Sequence, residues 1–211
     1  MSEPEPPSPR AVRVADIERL SAAASHGEPL ARLELAHATA AALVEAGRDP
    51  DGAHTGQLVT LADTVGLDTL AELWQDADED TLPGVLWVLY LLRSWCQVQG
   101  EAVSHFYRAG RAMAPVDEVV AGVSEDADAP ATHRFADAIL AGAYRGDFAV
   151  ALERAAAFFR IVAIGRREVD AGAEDSGSGS GQPADEMAER NERCAHALAR
   201  AARAWRAGRL R

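Results

Sequence analysis

Apolar residues recur three and four places apart along most of the chain, and no stretch alternates strictly enough to predict a strand. The spacing predicts a first helix over 14–25, with Val14, Ile17 and Leu20 on one side and Gly27 and Pro29 stopping it. A second, over 30–46, carries Leu33, Ala36, Ala40, Leu43 and Val44 as a stripe, and Gly47 is its expected stop. Short helices over 57–65 and 68–75 are expected on either side of Gly66, with Asp68 capping the second. Thr81 is the expected cap of a helix over 82–98, with Pro83 tolerated in its first turn. That helix is apolar on every side until Arg93, the mark of a helix that others surround, so Trp87, Tyr90 and Trp95 are expected at the heart of the core.

Beyond it the pattern predicts helices over 101–113, 132–144 and 147–164, with 116–123 turn-rich and 125–130 a loop. Asp147 is the expected cap of the 147–164 helix. The fold class is therefore all-α, a single domain of about eight to ten helices over 13–170. A proline-rich tail over 1–12 precedes it and a Gly/Ser-rich linker over 171–184 follows. The linker leads to an amphipathic, Arg-rich helix over 185–211, with Asp185 as cap and Met187, Cys194, Leu198 and Trp205 as a narrow apolar stripe.

Gly146-Asp-Phe-Ala-Val-Ala151 places a helix-ending glycine before an acidic cap and small residues. This turn resembles the inter-helix turn of tetratricopeptide repeats, and the resemblance implies stacked αα-hairpins. A partial match of 100–109 to 146–155 points the same way. The resemblance is confined to that turn, and ordinary αα-hairpins are the alternative.

Composition narrows the chemistry. There are 45 alanines, so helix contacts must be thin and anchored by a few large side chains. Lysine is absent, which removes P-loop, Schiff-base and general-base lysines. The net charge of -12 argues against a dedicated nucleic-acid binder, because such proteins gain affinity by neutralising phosphates. The charge is uneven: 49–92 holds nine acids and no arginine, whereas 185–211 holds four acids and seven arginines. The two ends can attract each other or face different partners. Cys96 and Cys194 stand in neither a C-x-x-C nor any zinc spacing and are expected as thiols, the longest apolar run is too short to span a bilayer, and a cytoplasmic location is expected.

Local motifs give little catalytic signal. The stretch 57–74 has the apolar and glycine positions of a helix-turn-helix, but its second helix is acidic and has no arginine for phosphate or guanine. Glu34 and His37 have di-metal spacing without the second motif such a site requires. No nucleophile elbow or phosphate loop is present, so no catalytic residue, metal or cofactor is assigned. Tyr90, Arg93, His105 and Arg108 are the ligand-pocket candidates, as polar groups beside an aromatic core helix. Arg193, Arg200, Arg203, Trp205 and Arg206 are the partner-binding candidates. The expected function is a non-enzymatic cytoplasmic adaptor, scaffold or assembly factor, binding a protein partner or itself through a helical groove or the terminal helix. A helical transcriptional regulator and a helical ligand-binding protein or enzyme are the alternatives.

Overall fold

The computed structural model of the chain describes residues 17, 19–20, 29–48, 54–175 and 182–210, and every regular element among them is a helix. In chain order these are α1 (Pro29–Gly47), α2 (Thr55–Val59), α3 (Leu61–Val65), α4 (Leu67–Trp74) and α5 (Leu82–Val98). They continue with α6 (Gly100–Arg111), α7 (Pro115–Ala121), α8 (Ala129–Arg145), α9 (Phe148–Asp175) and α10 (Gln182–Arg206). They form the single all-α domain that the spacing predicts. The tail expected over 1–12 and most of the helix expected over 14–25 lie outside the described residues, although Ile17 is buried in the core.

Two expected caps close as read. Thr81 Oγ1 accepts from the Gly84 N–H at 3.3 Å and starts α5. Asp147 Oδ1 accepts from the N–H groups of Ala149 and Val150 at 2.9 and 3.2 Å and starts α9. Asp68 does not cap α4. Gly66, at φ 86°, has already turned the chain, so α4 begins at Leu67 and Asp68 lies in its first turn. The helix expected over 57–65 is divided at Thr60, whose φ and ψ of -93° and 15° leave the helical region.

Three further boundaries differ from expectation. The turn-rich stretch contains α7, which Pro115 opens and Gly122 ends in the left-handed conformation at φ 66°. The loop expected over 125–130 supplies the start of α8, because Asp128 Oδ1 accepts from the Ala131 N–H at 2.7 Å and Pro130 fits the first turn. Finally, α9 runs on to Asp175 and α10 already starts at Gln182, so both helices take residues from the linker expected over 171–184. Its remaining residues, 176–181, lie outside the described residues. Past Ile164, α9 keeps a packing partner because α10 returns alongside it, with Arg167 Nη1 donating to Glu192 Oε1 at 2.6 Å.

The centre of the core is shared, where α5 alone was expected to hold it. α5 packs against α1, α4, α6, α8 and α10, whereas α9 packs against α6, α7, α8 and α10. Ala155, Ala156, Ala157, Phe158, Ile161, Val162 and Ala163 of α9 are all buried. Trp87 and Trp95 are only partly buried, and the fully buried large rings are Trp74, Tyr90, Tyr107, Tyr144 and Phe158. Trp74 is accommodated because its indole N–H donates to Thr39 Oγ1 at 3.1 Å. On α10 the buried line is Ala188, Asn191, Ala195, Leu198 and Ala202. Met187, expected in the stripe, is exposed.

Thin side chains let α6 and α9 cross almost backbone to backbone. A Cβ on Gly165 would lie 1.8 Å from the Phe106 carbonyl oxygen, and one on Gly110 would lie 2.0 Å from that of Ile161. Neither backbone can yield without separating the helices. Gly165→Ala is therefore expected to destabilise the fold by about 1–3 kcal/mol or more. Gly172→Ala, on the exposed part of the same helix where an added Cβ would meet nothing within 4 Å, should instead stabilise it by about 0.5–1 kcal/mol. Urea unfolding of the two variants checks this, and equal midpoints would contradict the close crossing.

Candidate functional site

Arg93 closes the apolar run of α5 and turns inward, where only 4% of the residue is exposed. A cation at that depth needs anions within reach, and the fold brings two. Its Nε donates to Asp137 Oδ1 of α8 at 2.7 Å, and its Nη1 donates to Asp63 Oδ1 of α3 at 2.8 Å. Burial opposes the charge, and the hydrogen bonds and fields of the two carboxylates outweigh it, so the guanidinium pKa is raised. His133, one turn before Asp137, places Nε2 3.7 Å from the same Asp137 oxygen, and no hydrogen bond reaches that nitrogen.

Beside this node lies a shallow depression of about 720 Å³ between the end of α5, the start of α6 and the start of α8. Cys96, Val98, Glu101, Ala102, Pro130 and His133 are among its walls. A thiol and an imidazole on one cavity invite comparison with a nucleophile and its base. The chemistry does not follow, because burial, helped by the charge of Asp137, pushes the Cys96 thiol up to about 12. A thiol in that state stays protonated at neutral pH and is a poor nucleophile.

Tyr90 joins a different network. Its hydroxyl donates to the Leu58 carbonyl at 2.5 Å and meets the Tyr144 hydroxyl at 2.8 Å. With its one proton on Leu58, Tyr90 must accept from Tyr144. Burial raises both phenol pKa values. The other two pocket candidates lie on α6: His105 is exposed with its ring 6.0 Å from that of Phe106, and Arg108 donates from Nη1 to the Ala127 carbonyl at 3.0 Å. The four candidates are thus distributed over four separate environments. None of them lines the depression or the other two cavities described here.

One of those cavities, of about 300 Å³, lies among α1, α2 and α3 and is walled by Ile17, Leu43, Leu58 and Leu61, with Gln57 and Thr64 also lining it. The other, of about 350 Å³, lies where α8 turns into α9 beside the end of α10.

The terminal-helix candidates are drawn mostly onto the chain's own body. The Trp205 ring lies 4.6 Å from that of Phe148, with the Arg48 guanidinium 5.4 Å above it. Arg206 pairs with both oxygens of Glu153, Nη2 to Oε2 being 2.7 Å. That hydrogen bonding holds the Glu153 carboxyl below its ordinary range. Arg200 Nε lies 3.7 Å from Asp80 Oδ2, which links the basic helix to the acidic segment as the charge map allows. Arg193 is 4.0 Å from Glu189 on its own helix, and Arg203 is exposed.

Among the described residues no three His, Cys, Asp or Glu side chains gather as metal ligands, and no helix is long and apolar enough to cross a membrane. Asp63, Asp137 and His133 were not legible as a group. Only the His133–Asp137 spacing and an arginine ending an apolar run hint at them, and their convergence depends on how α3 and α8 pack.

Two measurements follow from these environments. Asp63→Asn with Asp137→Asn strands a buried cation, whereas Arg93→Met frees two carboxylates that are each 38% exposed and can hydrate. The double carboxamide variant should lose about 3–5 kcal/mol in denaturant unfolding and Arg93→Met distinctly less; the reverse order would contradict the assigned burial. Tyr90, Tyr144 and Cys96 bind their protons more tightly folded than unfolded. Their contribution is complete below the ordinary thiol and phenol values, roughly 9 and 10, and is lost as pH rises from there through the raised values. A melting temperature that falls above about pH 9, less steeply in Tyr144→Phe, is the expected profile.

Comparison with known protein families, with curated proteins and with solved structures finds no match to this chain.

Proposed function

We propose that the protein is a non-enzymatic cytoplasmic adaptor or scaffold that binds another protein through the outward face of α7. The carrying observation is that Val116, Val119 and Val120, at one-turn spacing, remain exposed beside Met113, with Val116 and Val119 exposed by 76% and 82%. Apolar side chains grouped in this way mark interaction surfaces, whereas scattered single ones do not. Arg93, Asp63 and Asp137 satisfy one another and Cys96 holds its proton, which supports a binding role over a catalytic one. Cys96 and Cys194 are both free, which agrees with a reducing compartment.

The fold presents α7 firmly. Arg160 Nε donates to Asp117 Oδ1 at 2.8 Å, and Arg154 Nε donates to the Ala121 carbonyl at 3.0 Å. Arg111 Nη1 donates to the Glu125 carbonyl at 2.6 Å in the following loop. A helix of one or two turns would otherwise fray, so these contacts supply what its length cannot. Glu125 and Asp126 are exposed just beyond α7, which suits a partner whose apolar contact is rimmed by basic groups. The terminal helix is the weaker candidate, because Trp205 and Arg206 are engaged with Phe148 and Glu153.

The test is site-specific photocrosslinking in cells. A photoreactive residue at Val119 should give one adduct of discrete mass, abolished by Val116→Asp, while the same residue at exposed Glu186 should give none. Adducts of equal yield at both positions, or none at Val119, would refute the α7 surface. An adduct of twice the chain mass would replace a foreign partner by a second copy.

A further inference from the structure

Five arginines of the core and its margin, Arg93, Arg111, Arg154, Arg160 and Arg167, each hand an N–H to a carboxylate or carbonyl oxygen. Arg166 differs. Its guanidinium lies 4.3 Å above the Phe106 ring and 5.3 Å above the Trp95 ring. Its Nε is buried without a hydrogen-bond partner, and among the described residues no carboxylate pairs with it. The aromatic faces offset part of the cost of removing the cation from water, yet they satisfy none of its N–H groups. Burial accordingly lowers its pKa, with no neighbouring acid to oppose the shift. In a chain with 33 acidic and 21 basic residues this cation without a counter-charge is unexpected.

Its surroundings are apolar and open. Trp95 and Phe106 are partly buried, and Val98, one turn beyond Trp95, is 77% exposed. Val98, with Ala102 one turn before Phe106 on α6, also lines the depression between α5, α6 and α8. Apolar surface thus runs from the depression to the cradle that holds Arg166. The guanidinium plane is fixed by two rings before any ligand arrives, so little side-chain entropy remains to be lost on binding.

We propose that Arg166 is the anchor of a second protein-binding surface, which takes a partner segment carrying one Asp or Glu beside an apolar side chain. The carboxylate accepts from the terminal Nη groups of Arg166, which are not sealed off as Nε is, and the apolar neighbour covers Val98 and Trp95. Charge complementarity selects this occupant, because a carboxylate supplies the oxygen acceptors that this chain does not. The proposal rests on the reading of the protein as a binding module but uses none of the α7 residues.

The probe is a capped, alanine-based helical peptide with one Glu four residues from a Leu, compared with its Gln twin. The ¹⁵N-correlated Nε–H resonance of Arg166, displaced by the two rings, reports directly on the site in the full-length protein. The Glu peptide should shift that resonance saturably and bind about tenfold tighter than the Gln peptide, as a charge-assisted hydrogen bond to a partly desolvated cation allows. Arg166→Gln should bring the two peptides to equal affinity, and Val116→Asp should leave their difference intact while abolishing the α7 crosslink. Equal binding of Glu and Gln peptides to the wild type would overturn the proposal, as would no shift with either. Acetate matching the Glu peptide in affinity would overturn it in favour of a site for small acids. No adduct at Val119 in the chain that keeps Val116, with the peptide difference retained, would refute the first surface and leave this one standing.

Discussion

The whole arrangement depends on how closely other helices can approach α9. An alanine buries little area, so a core rich in alanine gains cohesion only when backbones come near enough for many weak contacts to add up. Ala155, Ala156, Ala157 and Ala163 provide that proximity, and Gly165 against Gly110 takes it to backbone contact. Large rings fill the spaces this leaves. Phe158 stacks with Phe135 at 4.7 Å and with Tyr107 at 5.1 Å, linking α9 to α8 and α6 through aromatic faces.

Polar groups are admitted to this core where another element completes them. Tyr90 reaches a carbonyl made available by the short α2, Trp74 reaches a threonine on α1, and Arg93 reaches acids from α3 and α8. Each link spans at least 30 residues of sequence. Tyr90 and Arg93 tie the short α2 and α3 to the α5–α8 body, and Trp74 ties α4 to α1, by specific directional contacts that alanine packing alone does not provide. Against that pattern of completion, the exposed face of α7 and the unmet donors of Arg166 are the departures that suggest function.

Helix class and two of the caps were legible because they are set within a few residues: Thr81 to Gly84, Asp147 to Ala149. The cap at Asp128 escaped notice because the adjoining Asp and Pro residues read equally well as a loop until the N–H of Ala131 is seen to reach it. Gly165 falls just past the helix end expected at 164, and nothing local distinguishes a glycine that stops a helix from one that admits a neighbouring backbone. The length of α9 depends on α10, and the grouping of Asp63 with Asp137 depends on two helix packings at once; neither is written in spacing. Arg166 was invisible for a further reason: what sets it apart is the absence of a partner, which sequence cannot register.

The return of α10 along α9 also bears on how the protein is made. Ala188, Ala195, Leu198 and Ala202 cover a surface of α9 that nothing earlier in the chain covers in the same way. During synthesis, which proceeds at about 5–20 residues per second, that surface emerges before its cover exists. The nascent chain therefore passes through an interval in which its central helix is open along one side, and folding is completed only once α10 has left the ribosome. A chaperone or a neighbouring nascent chain has its opportunity to bind this protein in that interval.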